Sequence, residues 1–321
     1  MNPRIQMTPA GLYCREGGFH IDPTRGVDVA ILTHAHSDHA RGGSRRYFCS
    51  EGTLPLARHR LGRRDFTGLA WGERQRFGKI WVSLHSAGHI RGSAQVLVEF
   101  PDGERWVVTG DFKRQEDPTA ESFVVVPCDV LITEATFAAP IYRWPDPAAV
   151  VEDLVSWCRR TMEEGWNVVL LGYSLGKSQR ILALLRDHLT EPVYLHPAVM
   201  AGTMLYAREG VSMAMFLPMD RWRPKPGGRG SLFICPPHTV SPELSTAFTK
   251  VRTAFLSGWA SPRGVKQGRH WERGFVLSDH ADWDGLLHTI RESGAKRVIT
   301  MHGKARHLIR YLREVEGIEA E

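Results

Sequence analysis

Between Val27 and Leu32 the chain is largely apolar, and it then breaks into Thr33-His34-Ala35-His36-Ser37-Asp38-His39. A short apolar run bounded by turn residues reads as a buried strand, and the small residues from Ala40 to Gly43 read as the turn that follows. The fold must therefore contain an interior strand whose end presents three imidazoles and a carboxylate from a single loop, where a rigid element can aim them. His34 and His36 stand two apart and share a side if the backbone is extended. Asp38 and His39 lie past the bend and can face a second position. Imidazole with carboxylate suits Zn²⁺, and also Mn²⁺ or Fe²⁺. Scattered, solvated histidines would not explain four such residues together at a strand end.

Composition narrows the setting. The chain has 321 residues, room for two domains or one large one, and 42% hydrophobic residues, enough for an ample core. The formal net charge is +6, and 33 of the 41 basic residues are Arg. Arg suits bidentate phosphate contacts, although genomic codon bias gives the same excess. Cys14, Cys49, Cys128, Cys158 and Cys235 are widely spaced with no C-x-x-C, as expected of free thiols in a reducing compartment. Met1 to Gly18 has no apolar signal segment, and no run approaches the ~18 apolar residues of a membrane helix. These features predict a soluble, cytoplasmic protein without membrane contact.

His34-x-His36-x-Asp38-His39 resembles the metal-binding signature of the metallo-β-lactamase superfamily, whose members include lactamases, thioesterases, lactonases and nucleases. The resemblance implies further positions in order. Asp22, in His20-Ile21-Asp22-Pro23, matches the aspartate that braces the metal loop. Short strands and polar loops are expected up to about Phe77, with Arg58, Arg60, Arg63 and Arg64 on a solvated face. His89 lies in Ser86-Ala87-Gly88-His89-Ile90-Arg91-Gly92 and matches the single histidine of the third motif, with His85 a decoy belonging to the preceding strand. Asp111, in Thr109-Gly110-Asp111-Phe112, matches the bridging aspartate of the fourth.

The pattern changes after about Tyr142. Asp146-Pro147 caps a helix that should run to Gly165. A strand over Asn167 to Gly172, a helix from Gly176 to His188, a strand from Pro192 to Leu195 and a helix from Pro197 to Glu209 then read as a parallel α/β unit. Arg221 to Gly230 and Ala260 to His270 read as basic loops, the first of them mobile. The strand-rich pattern of the amino-terminal half resumes at Gly274.

Such an insertion resembles the β-CASP branch of the metallo-β-lactamase fold, whose known members act on nucleic acids. The resemblance implies an α/β class protein, a metallo-β-lactamase αββα sandwich (residues 1–142 and 273–321) with an inserted α/β β-CASP module (143–272). Motif A is matched by Glu134, motif B by His280 in Ser278-Asp279-His280, and motif C by His302 before Gly303. Within the branch the chain looks most like the bacterial exonucleases found alongside a DNA ligase and a helicase. It implies a DNA exonuclease in repair, with single-stranded DNA as partner. His at motif C accompanies RNA-acting members and keeps an mRNA 3′-end-like processing nuclease as the alternative, and a small-molecule hydrolase is a third.

Two divalent metal ions, Zn or Mn, are expected. His34, His36, His89 and Asp111 would hold one, and Asp38, His39, Asp111 and His302 the other. Asp38, Asp111, Glu134 and His280 are the expected catalytic residues, His280 protonating the leaving oxygen and Glu134 orienting it. Gly172-Tyr-Ser-Leu-Gly176-Lys177-Ser178 is one residue short of a P-loop. Ser174, Gly176, Lys177 and Ser178 are still expected to hold a backbone phosphate at a helix start.

Overall fold

A computed structural model of the chain describes residues 3–224, 228–239, 250–261 and 271–321. It is mixed α/β with three sheets among the described residues. The chain divides into two compact units, Met1–Pro140 with His280–Glu321, and Ile141–Asp279.

The first unit opens with β1 (Ile5–Thr8), β2 (Gly11–Cys14), β3 (Phe19–Ile21), β4 (Val29–Ile31), β5 (Arg46–Ser50) and β6 (Asp65–Leu69). They form one sheet in chain order, antiparallel up to β3 and parallel from there. The parallel half is covered by helix α1 (Leu54–Leu61). This helix stands where only strands and loops are expected from the sequence, although Thr53 and Pro55 mark its start. Strands β7 (Gln75–Phe77), β8 (Ile80–Ser86), β9 (Ala94–Glu99), β10 (Arg105–Val108) and β11 (Val130–Ala135) begin a second sheet.

The second unit holds α2 (Pro147–Glu163), β12 (Asn167–Leu171), α3 (Lys177–Leu185), β13 (Val193–Leu195), α4 (Pro197–Arg208), β14 (Phe216–Pro218), β15 (Leu232–Cys235), β16 (Val251–Leu256) and β17 (Arg273–Phe275). Asp146 caps α2 by accepting the Ala148 N–H at 3.3 Å. The sheet, ordered β14-β13-β15-β12-β16-β17, is parallel throughout. Parallel strands are buried on both faces and read as continuous apolar runs, as Val168 to Leu171 do. Val168 and Leu170 pack with α2, α3 and α4, while Val169 and Leu171 pack with Tyr194, Phe233 and Phe255. The central residues of the two expected basic loops lie outside the described residues.

The chain then returns to the first unit with α5 (Trp283–Ser293), β18 (Arg297–Gly303), α6 (Arg306–Tyr311) and β19 (Glu319–Ala320). The second sheet thus runs β19-β18-β11-β10-β9-β8-β7, antiparallel from β7 to β10 and parallel from β10 to β19. Period-two alternation divides its side chains. Val96, Val98, Val108 and Ile132 join Val29 and Ile31 of the first sheet in a shared core. Leu97, Val107 and Leu131 face outward onto Trp283, Leu286 and Leu308, and Ala30 and Leu32 face Ala57 of α1. The layers are therefore helix, sheet, sheet, helix.

All five cysteines are free and buried, and burial pushes the Cys49 thiol up to about 12. No helix among the described residues is long and apolar enough to cross a membrane.

At the end of β10, Gly110 has φ +57°, and a Cβ there would lie 2.7 Å from the Cβ of Thr33. A side chain at this position must both strain the backbone and push away the residue before His34. Gly110→Ala is expected to destabilise the protein by about 2 kcal/mol or more. In urea unfolding the midpoint should fall with an unchanged slope.

Candidate metal centre

Strands β4, β8, β10, β11 and β18 each carry a chemically active residue at or just beyond the carboxyl end: His34, His89, Asp111, Glu134 and His302. Each lies within three residues of a strand end, which limits the freedom of its backbone. His34 Nε2 lies 3.0 Å from His36 Nδ1, which lies 3.1 Å from His89 Nε2. One Asp111 oxygen stands 3.6 Å from His34 Nε2 and 3.7 Å from His89 Nε2. The four ligand atoms all fall within 4.8 Å of one another. Metal–nitrogen bonds of about 2.0–2.1 Å imply nitrogen pairs roughly 3.3 Å apart across a tetrahedron, so small adjustments fit this set to one cation.

The imidazoles are held from behind. Thr33 donates its backbone N–H to Asp22 Oδ1 at 2.8 Å and its hydroxyl to Asp22 Oδ2 at 2.5 Å. The same hydroxyl oxygen lies 3.0 Å from His34 Nδ1. With its own proton given to Asp22, it accepts from the Nδ1–H of His34, which leaves the Nε2 lone pair for a cation. Burial, reinforced by the neighbouring histidines, holds His34 well below the usual histidine range and hence neutral.

His39 is braced alike, its Nδ1 lying 2.7 Å from Asp22 Oδ2. Its Nε2 lies 3.5 Å from the same Asp111 oxygen and 3.7 Å from Asp38 Oδ2. Burial opposes a charge on His39, but Asp111 and Asp22 together raise it well above the usual range. Asp111 is buried too, yet His39, His280 and His34 keep it ionised and well below the carboxylate range. The centre thus draws positive charge to itself, the electrostatic condition for binding a cation.

His302 lies close to His39. Its ring lies 5.6 Å from that of His39, and it lines a cavity of about 90 Å³ with Asp38, His39 and Thr109. Pairing of β11 with β18 slips at this point, with Glu134 opposite Met301 and Ala135 opposite Gly303. His302 is the extra residue of a β-bulge, a device that turns a side chain out of the ladder. Asp22 and His302 are the two non-glycine residues with positive φ among those described, at 45° and 50°. Strain of this kind gathers at working sites.

Glu134 sits inside β11 rather than after it. One of its oxygens accepts the Phe112 N–H at 2.7 Å; the other accepts from the Thr136 hydroxyl at 2.6 Å and from His280 Nδ1 at 2.8 Å. A carboxylate fixed by three donors orients the His280 ring. The His280 ring is 4.8 Å from that of His89, and its side chain is 24% exposed.

The expected phosphate loop is corrected by its hydrogen bonds. Lys177 is buried, and its ammonium is committed to Asp279 at 2.8 Å and to the Leu277 carbonyl. Ser178 gives its hydroxyl to the Tyr173 carbonyl at 2.7 Å, and the Gly176 N–H goes to Gln179. The Ser174 carbonyl in turn accepts from the Gln179 side-chain amide at 3.1 Å. These groups build a structural corner, and a lysine packed on a carboxylate inside the unit is not offered to a ligand.

Three positioning residues are not marked in the sequence as such. Thr33 could have been suspected from its place beside His34. Arg60, expected on a solvated face, reaches the Ala35 carbonyl at 2.7 Å, between His34 and His36. Lys113 pairs with Asp117 and lies 3.4 Å from the His89 carbonyl, joining the His89 and Asp111 loops, and nothing local signals it. His85 stays on β8, 3.0 Å from the Ser83 hydroxyl.

No family model matches the chain. Over 312 residues, 97% of its length, it is 35% identical to a protein of Opitutus terrae named "Probable DNA ligase". It is 25% identical over 214 residues to the "RNase J-like protein" of Methanocaldococcus jannaschii, and 28% identical over 182 residues to the human "DNA cross-link repair 1A protein". The chain spans 30%, 50% and 17% of the lengths of these relatives.

Losing a brace behind metal ligands lowers metal affinity by about 10–100-fold. Asp22→Ala should show that loss in metal titrations followed by elemental analysis, whereas His85→Ala should bind metal as the parent does.

Proposed function

This chain belongs to the β-CASP branch of the metallo-β-lactamase family, and from that premise we propose that it is a metal-dependent nuclease, specifically a DNA exonuclease acting in repair. On this reading the first unit is the αββα metallo-β-lactamase domain and the second the inserted β-CASP domain. The observation that carries the proposal is the Glu134–His280 pair beside the His34, His36, His89 and Asp111 cluster. A small-molecule hydrolase on the same centre has no use for a second, fixed acid. DNA is favoured by the ligase-named relative, which matches nearly the whole chain, and that relative also supports a DNA ligase as functional partner. RNA processing is the second reading, supported by His302 and by the RNase J-like relative.

His34, His36, His89 and Asp111 would hold one divalent ion, Zn or Mn, and Asp38, His39, Asp111 and His302 the other. Such a pair supplies Lewis acidity toward phosphoryl oxygens and a water acidic enough to lose its proton near neutral pH. Asp111 would serve both positions with a charge that its imidazole neighbours maintain. Asp22 and Thr33 keep the Nε2 atoms of His34 and His39 directed inward.

His280, its Nδ1–H given to Glu134, would bring a proton on Nε2 to the leaving oxygen. In phosphodiester hydrolysis the oxygen of water joins phosphorus, the bond from phosphorus to the 3′ oxygen breaks, and the Nε2 proton passes to that leaving oxygen. The products are a 5′-phosphate and a 3′-hydroxyl. A positioned acid of this kind contributes about 10²–10⁴-fold.

His280→Ala should lower turnover by about that factor and keep its metal, while Asp111→Asn should lose metal and activity together. Metal content and cleavage of matched single-stranded DNA and RNA, labelled at either end, decide these points. Stepwise loss of DNA with RNA spared supports the exonuclease; preferred RNA cleavage moves the protein to RNA processing. Full activity of Asp111→Asn would sink the two-metal scheme.

A further inference from the structure

The second unit carries most of the chain's net positive charge. Residues 141–279 hold 17 Lys and Arg against 12 Asp and Glu, so +5 of the chain's net +6 resides there. All six strands of its sheet are parallel, so all their carboxyl ends share one edge, where open α/β sheets bind ligands. Two aromatic residues emerge at that edge from neighbouring strands. Tyr173 follows β12 and is 53% exposed, and Trp259 follows β16 and is 38% exposed.

Trp259 is held in place. It lies in a single helical turn, Gly258–Ala260, whose start is capped by Ser257 accepting the Trp259 N–H at 3.2 Å. Tyr142 stands edge-on to it, ring centres 5.9 Å apart at 82°, and Trp144 lies 6.2 Å from Tyr142. Arg143, between these two, is exposed. The unit's apolar core is built from other rings, Trp157, Phe233 and Phe255 among them.

We propose that Tyr142, Trp144 and Trp259 form a stacking platform for the unpaired bases of a single-stranded nucleic acid. Aromatic faces accept any base because every base has a π-face. The net positive charge of the unit's sequence favours the phosphates between the bases. Duplex bases are stacked on each other and cannot use such rings, so the platform selects single strands. This inference rests on the nuclease reading for its ligand, and it adds where the strand is held and by which contacts.

The test uses the full chain and a short oligothymidine, intact or with an abasic run. Binding is followed by anisotropy in EDTA, where turnover stops, and KM and kcat are measured with metal. Trp259→Ala should raise Kd and KM by about 5- to 100-fold, the effect of losing a stacked base, with kcat unchanged. Trp259→Phe should restore most of the affinity. The abasic strand should bind the parent protein correspondingly weakly and be blind to Trp259→Ala. Because the abasic comparison uses the parent protein, it stands even if a variant folds poorly. Equal binding of intact and abasic strands, or unchanged Kd in both Trp259→Ala and Tyr142→Ala, overturns the platform. Cleavage with no dependence on these rings keeps the nuclease and discards the platform. Ring-dependent binding with no cleavage does the reverse.

Discussion

The organisation of the first unit follows from a buried carboxylate, Asp111, 8% exposed and ringed by imidazoles. An ion taken out of water is costly unless charge and hydrogen bonds replace its hydration. Here they are supplied in layers. His34, His39 and His89 face the oxygen that bears the charge, Asp22 and Thr33 hold the first two from behind, and Glu134 fixes the backbone of Phe112 next door. Lys113 and its partner Asp117 then tie the His89 loop to the same segment. Each layer makes sense only because the layer inside it must not move.

The sheets provide the common edge that makes this layering feasible. Running β8 antiparallel to β9 and β9 antiparallel to β10 returns the chain to one direction, and β11 and β18 add to it in parallel. Five strand ends therefore arrive together at one edge of the sheets. The remaining mismatch is absorbed locally. The bulge at His302 and the strained backbone at Asp22 turn two side chains that regular geometry would have aimed elsewhere.

What can be read from the residues alone is whatever is encoded locally. His34 to His39 follow a strand within a few residues, Gly88 and Gly92 bracket His89, and the capped helix after Asp146 shows its own punctuation. What escapes is encoded by distance. Arg60 and Lys113 act through carbonyls of other loops, and a single basic residue carries no mark of that. Lys177 misleads for the same reason: its glycine-framed setting resembles an anion loop, while its partner, Asp279, is far along the chain. Helix α1 is hidden because four arginines near it mask a threonine–proline start, and the slip that frees His302 exists only once β18 has met β11.

That last pairing has a consequence for how the chain comes into being. Residues 130–135 leave the ribosome well before 297–303, with the whole of Ile141–Asp279 in between. Contacts so far apart in sequence close late. The nascent protein therefore displays the His34, His36, His89 and Asp111 donors while it still lacks His280 and His302.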